Sequence, residues 1–122
     1  MRKVNIGTNN YTEIYATDKP VFNANHKYIV VAVPAEGEET GLDNPYAKVN
    51  FQKGPIKENG VNGCHNEDLI AIVLDRLQSL NQDDFKCREN SIAITKLEEA
   101  MMWLNKRTLN RRSRGVEGTS QK

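Results

Sequence analysis

The most regular pattern of apolar and polar positions lies in the last third of the chain. Cys87, Ser91, Ile94, Leu97, Met101, Leu104 and Thr108 recur at steps of three and four. That spacing is one face of an α-helix, close to a coiled-coil seam. It predicts a long helix from about residue 85 to about residue 114. Asp83 or Asp84 is placed to cap its start, and Gly115 to end it in the left-handed conformation that glycine tolerates. A second apolar face precedes it: Leu69, Ile70, Val73, Leu77 and Leu80, widened by Ile72 and Leu74. Asn66 reads as its cap, with Glu67 and Asp68 in the first turn, where acids suit the helix dipole. The polar turn Asn81–Asp84 is short, and short connections make consecutive helices antiparallel. The pair is therefore a hairpin whose longer second helix carries its basic end past the start of the first.

Upstream the period changes to two. Lys3–Ile6 reads as a short first strand. Tyr11–Thr17 alternates, and Lys27–Val33 is a β-branched run expected to be central and buried on both faces. Pro34 ends that run, and Ala35–Pro45 reads as a charged surface loop. Tyr46–Gln52 alternates again, giving three or four antiparallel strands. Lys53–Gly63 holds too much glycine and proline to be helix and reads as a connecting loop. Its backbone N–H groups, with Lys57, could also cradle an anion. The expected fold class is α+β: a strand-rich part over residues 1–53, then a helical hairpin with a basic tail over 64–119. By length it is a single domain.

Composition excludes several classes of function. A net charge of +1 supplies no global field to hold the chain on DNA or a membrane. No apolar run reaches the length of a membrane span, and residues 1–10 lack the apolar centre of a signal peptide. Two cysteines, Cys64 and Cys87, are too few for a disulfide framework, so a cytoplasmic location with reduced thiols is expected. No metal or cofactor is expected. His26 and His65 lack partners at ligand spacing, and adjacent Cys64 and His65 suit neither chelation nor a nucleophile–base pair. Hydrophobic content is 38%, modest enough that part of the apolar surface is expected to be buried only on assembly.

The positive charge is local. Between Lys106 and Arg114 stand five basic residues and no acid. Arg107, Arg111 and Arg114 share a face, and Trp103 lies four before Arg107 on the same stripe, with Ile92 further back. Two readings stand. The arginines complement the helix dipole while Trp103 packs against the sheet or another subunit. Or an aromatic plane beside guanidinium forks stacks a base and grips phosphate.

The stretches NFQKGPIKENGVNG (50–63), NEDLIAIVLDRL (66–77), FKCREN (85–90), ITKLEEAMMWL (94–104) and the ending RxxxRRSRGVEGT (107–119) resemble the helical-hairpin domain of phage counter-defence sponges. That domain is shared by anti-CBASS proteins and Thoeris anti-defence proteins, and the strand-rich first fifty residues resemble the latter. The resemblance implies a non-enzymatic protein that sequesters a cyclic nucleotide immune signal. The signal would be glycocyclic ADP-ribose made by TIR-domain proteins, or a cyclic oligonucleotide of CBASS. It implies a homo-oligomer, dimer-based and expected to be a hexamer, with pockets where helices of neighbouring subunits meet. It makes Phe85 a candidate for base stacking, although packing on the first helix would also explain it. Asn90 and Arg88 are candidates for reading a base edge. Arg107, Arg111 and Arg114 are candidates for phosphate, with Arg112 in reserve and Trp103 beside them. Gly118 and Thr119, in a tail expected to be ordered near ligand or interface, would complete a pocket for a larger ring.

Two other classes compete. The first is a basic-helix nucleic-acid binder or a structural phage protein; a net charge near zero and a single short basic cluster argue against tight duplex binding. A phosphodiesterase would need a positioned base and usually a metal. The acid pairs Glu67-Asp68, Asp83-Asp84 and Glu98-Glu99 read instead as caps or solvated faces.

Overall fold

The computed structural model describes residues 1–7, 9–38 and 41–122. The chain forms two compact units, Met1–Cys64 and His65–Lys122. Glu39 and Thr40, in the middle of the expected surface loop, lie outside the described residues.

The N-terminal unit is a four-stranded antiparallel meander in the order β1 (Arg2–Val4), β2 (Thr12–Ala16), β3 (Lys27–Ala32), β4 (Ala47–Asn50). Ile29 pairs with Tyr15 on one side and Lys48 on the other, so β3 is central as its β-branched run implies. It is not buried on both faces. Ile29 and Val31 are buried while Tyr28, Val30 and Ala32 are half-buried, the alternation of a sheet with one better-covered face. On the Ile29 face, Glu13 accepts from the Tyr15 hydroxyl at 2.8 Å and pairs with Lys3 at 3.3 Å. On the other, Tyr28 meets the Phe51 ring edge to face at 5.7 Å.

The β2–β3 connection is held by Asp18. Its carboxylate accepts from the backbone N–H of His26 and Lys27 and from the Asn25 amide. Burial pushes the Asp18 pKa up, but these donors outweigh it, the His26 N–H first, and the net shift is downward. Asn25 in turn accepts from Arg2 at 2.8 Å. The buried His26 ring places Nε2 2.7 Å from the Val21 carbonyl, so Nε2 carries the proton.

After β4 the chain does not stay irregular. Ile56–Asn59 form a one-turn helix, α1, within the segment expected to exclude helix. Pro55 starts it, where a missing N–H costs nothing, and Gly60 at φ +72° stops it. Cys64, just after this segment, is paired. It bridges Phe51 in parallel, its N–H donating to Asn50 and its carbonyl accepting from Gln52.

The C-terminal unit is an antiparallel hairpin of α2 (Asn66–Leu80) and α3 (Arg88–Ser113). At one end Asn81 bonds Ser91. At the other, Glu67 lies in one groove with Met101, Asn105 and Thr108. The cap of α2 is His65, one residue before the expected Asn66, and its backbone N–H donates to Asp68 at 2.8 Å. All seven predicted seam positions of α3 are half-buried. The apolar face of α2 differs from expectation. Leu69, Ile70, Leu74 and Leu77 are half-buried, but Ile72, Val73 and Leu80 are exposed. The positions turned inward, 67, 70, 74, 77 and 81, keep the four–three step that matches the α3 seam. No residue of either helix is fully buried.

Candidate ligand site on the helical hairpin

The candidate residues fall into two clusters at opposite ends of α3. The first surrounds its start. The helix begins at Arg88, not Phe85, because a single 3-10 turn at Asp83–Phe85 intervenes, with Asp83 itself at φ +53°. Neither Asp83 nor Asp84 caps α3. Cys87 does, its Sγ accepting from the Asn90 N–H at 3.4 Å. Asn81 braces the turn: Oδ1 accepts from the Cys87 N–H and Nδ2 donates to Ser91 Oγ, each at 3.0 Å. Phe85 is displayed on this brace with 78% of its surface exposed, so it does not staple the two helices together. Arg88 is exposed on the first helical turn, and Asn90 is half-buried beside the seam. Asn81 is the positioning residue that sequence reasoning passed over. Its signal was an asparagine at the junction of a helix and a short polar turn, where the side chain can replace missing backbone partners.

The second cluster is the basic end of α3. Trp103 is 57% exposed, with Lys106 Nζ 4.9 Å from its ring centroid, within cation–π range. Ile92 and Arg107 are exposed on the same stripe. The helix stops in a Schellman arrangement. The Gly115 N–H donates to the Arg112 carbonyl and the Val116 N–H to the Arg111 carbonyl, both at 3.0 Å, with Gly115 at φ +71°. Val116 is buried, and the tail then turns again: the Thr119 N–H donates to the Val116 carbonyl across Gly118, at φ +73°. The GVEGT tail is thus a defined structure, folded onto the last turn of the helix.

Three of the four arginines here have internal partners. Arg111 Nη2 donates to the Val116 and Thr119 carbonyls, each at 3.0 Å. Arg112 Nε donates to Glu117 at 2.7 Å, and this bond raises the Arg112 pKa further. Arg114 donates to the Lys122 carbonyl. Thr119 Oγ1 donates inward to the Val116 carbonyl at 2.5 Å. Among the described residues, Arg107 has no such partner.

Arg88 and Arg107 are nineteen residues apart on one helix, which is about 28 Å along its axis. The chain by itself therefore brings Phe85, Arg88 and Asn90 together, and separately Trp103, Arg107 and the arginine-rich end, but not the two groups. Alongside the second group, at the level of residues 98–108, lies a shallow open groove of about 510 Å³ lined by Glu67, Glu98, Met101, Met102, Asn105 and Thr108. Two carboxylates make it a poor place for phosphate.

Much of the backbone of the glycine-rich loop is engaged internally. The Lys53 N–H donates to Asn62 Oδ1 and the Asn62 N–H to Gln52 Oε1. Those of Glu58, Asn59 and Gly60 go to Pro55 and Ile56 carbonyls. Among the described residues no cluster of His, Cys, Asp or Glu could hold a metal ion, and no helix is long and apolar enough to cross a membrane.

The family model described as the hairpin domain of Acb2/Tad1 matches residues 43–109, more than half of the chain. This chain belongs to the Acb2/Tad1 hairpin family. It is also similar to Thoeris anti-defense 1 of Bacillus phage SBSphiJ7, at 46% identity over 132 aligned residues that cover 92% of each chain. The Acb2/Tad1 match contains Phe85, Arg88, Asn90, Trp103 and Arg107. It ends before Arg111 and the tail.

Proposed function

We propose that this chain is a phage counter-defence protein that binds and sequesters a cyclic nucleotide immune signal without degrading it. A glycocyclic ADP-ribose made by TIR-domain proteins is the first candidate, and cyclic oligonucleotides the second. The observation that carries this reading is the similarity, along nearly the whole chain, to a phage Thoeris anti-defence protein. The surface chemistry suits it. Phe85 and Trp103 offer exposed planes for stacking, and Arg107 an exposed guanidinium for a charge-assisted grip on phosphate. Nanomolar capture corresponds to about −12 kcal/mol, within reach of stacking and a few such contacts.

A site that uses both clusters is composite. With Arg88 and Arg107 about 28 Å apart along one helix, the two ends cannot close on one small ligand, so such a pocket joins the Phe85 end of one chain to the Arg107 end of another. Support comes from the apolar side chains that the hairpin leaves outside. Ile72, Val73, Leu80, Ile92, Met102 and Leu109 are all exposed. A pair of helices with no fully buried residue lacks a core of its own, and further copies would supply it. A dimer-based ring, a hexamer, satisfies both needs. Action in the host cytoplasm follows from where such signals are made.

The test is retention. The purified protein is incubated with cyclic ADP-ribose isomers and cyclic oligonucleotides, filtered, then heated, and both fractions are chromatographed. A compound lost from the filtrate and returned intact on heating supports sequestration. A compound returned cleaved makes the protein an enzyme, and retention of none refutes the ligand class.

A further inference from the structure

The chain has two Asn-Gly pairs, Asn59-Gly60 and Asn62-Gly63, close together in the segment between β4 and α2. An asparagine before glycine can lose its side-chain amide without any enzyme, because no side chain on the next residue hinders its backbone nitrogen from reaching the asparagine Cγ. The structure treats the two pairs differently. Asn59 is the last residue of α1, and the Gly60 N–H donates to the Ile56 carbonyl at 2.8 Å. That nitrogen must shed a proton that it is already using. The Gly63 N–H has no partner among the described residues. The Asn62 side chain is also held as a peptide would be: Oδ1 accepts from the Lys53 N–H and Nδ2 donates to the Lys53 carbonyl, each at 2.8 Å. The N–H on Oδ1 draws electrons from Cγ and lies where an oxyanion would form. Asn59 has no such bond among the described residues.

We infer that Asn62-Gly63 is a site of spontaneous deamidation in the folded protein, and that Asn59-Gly60 is shielded from it. The Gly63 nitrogen gives its proton to solvent base and attacks Asn62 Cγ. The new N–Cγ bond closes a cyclic imide, the Cγ–Nδ2 bond breaks, and Nδ2 takes up a proton and leaves as ammonia. Water then opens the imide at either carbonyl, giving aspartate or isoaspartate, with no oxidant or reductant involved. Both products carry one added negative charge, which takes the formal net charge from +1 to zero. Neither fits the loop. A carboxylate keeps the Lys53 N–H but sets a charged oxygen against the Lys53 carbonyl, where a donor stood. Isoaspartate also inserts a methylene into the backbone ahead of Gly63, which lies so close to Asn50 and Phe51 that even a Cβ would come within 2.5–2.6 Å of them. The next residue, Cys64, ties this loop to the end of β4 through its bridge with Phe51. The modification therefore loosens that tie, and it runs one way.

The test uses the full-length chain and needs no ligand. The protein is held in mildly alkaline buffer, folded and, in parallel, unfolded in urea. Ion exchange separates the modified chains, and peptide mapping with electron-transfer fragmentation locates aspartate and isoaspartate. Unfolded, the two pairs share the same chemistry and modify at similar rates. Folded, Asn62 is expected to modify about tenfold faster than Asn59, the effect of one hydrogen bond on the attacking nitrogen. Equal rates in the folded chain, a faster Asn59, or no modification at either overturns the proposal. Asn62→Asp, made directly, supplies the aspartate product as a uniform sample. Faster amide exchange at Gln52 and Cys64, whose N–H groups close the bridge, with the helical signal unchanged by circular dichroism, supports the loosened tie; wild-type exchange rates there overturn it.

Discussion

A composite pocket can be rebuilt from two broken chains. Phe85→Ala removes the exposed ring at one end of α3, and Arg107→Ala removes the exposed guanidinium at the other. If each pocket takes Phe85 from one chain and Arg107 from another, either variant alone has every pocket damaged. Losing a charge-assisted phosphate contact costs about 1.5–3 kcal/mol, roughly 10- to 150-fold in affinity. Losing a stacked ring costs about 1–3 kcal/mol. Neither side chain is held in a core, since Phe85 is 78% exposed and Arg107 is exposed, so both variants should fold. Now mix the two in equal amounts and let subunits exchange. A pocket is intact when its Phe85 comes from an Arg107→Ala chain and its Arg107 from a Phe85→Ala chain. Each condition holds half the time, so about one quarter of all pockets recover wild-type affinity, whatever the number of subunits in a closed symmetric ring. Isothermal titration with the retained nucleotide reads this as a stoichiometry near one quarter of wild type at unchanged Kd. Co-purification of differently tagged chains confirms that exchange took place. Exchange without any recovered high-affinity sites would refute the composite pocket. Full binding by Phe85→Ala alone would remove that ring from the site.

Other outcomes follow from the same geometry. A Cβ at Gly63 would lie 2.5–2.6 Å from the backbone of Asn50 and Phe51, so Gly63→Ala should cost about 3 kcal/mol or more in a chemical denaturation series. Gly41, with open space around it and no positive φ, should accept alanine with a gain of about 0.4–1 kcal/mol. Asn81→Ala leaves the Cys87 N–H and Ser91 without a part-buried partner; the expected cost is about 1–3 kcal/mol, with faster amide exchange in the first turn of α3. Asp18 has a native pKa below its usual value near 3.8, so its stabilising effect is full above that value and is lost as pH falls through the lower native one. Asp18→Asn should therefore be less stable than wild type at pH 7, and the gap in thermal midpoint should close in acid; a gap that persists would sink the assignment.

What was legible in the sequence was periodic. The α3 seam from Cys87 to Thr108 could be read because every residue obeys one spacing, and all seven positions are half-buried. The meander could be read for the same reason at period two. Contact-dependent features could not. Val73 and Leu80 fit an apolar helical face, but which arc of α2 turns inward is decided by the α3 seam, and that seam chose Leu74 instead. The caps shifted because His65 and Cys87 sit where the chain turns, and caps are set by that geometry more than by the best side chain nearby. Pro55 and Gly60 looked like punctuation against helix and instead bracket a single turn of it. In the candidate site, residue types were visible as a basic stripe with an aromatic. The internal bonds of Arg111, Arg112 and Thr119 depend on a tail that folds back, which no spacing along the helix encodes.

The meander also bears on how quickly this chain can be made ready. Each strand pairs with the one synthesised just before it, and α3 packs on α2, its neighbour in sequence. No strand waits for a distant partner, so little loop-closure entropy delays either unit. The sheet can be complete before the hairpin has left the ribosome, since domains fold as units in the order of synthesis, at about 5–20 residues per second. In a chain of this topology each inner edge of the sheet is paired as soon as the next strand has emerged, and only the outer edges of β1 and β4 stay open.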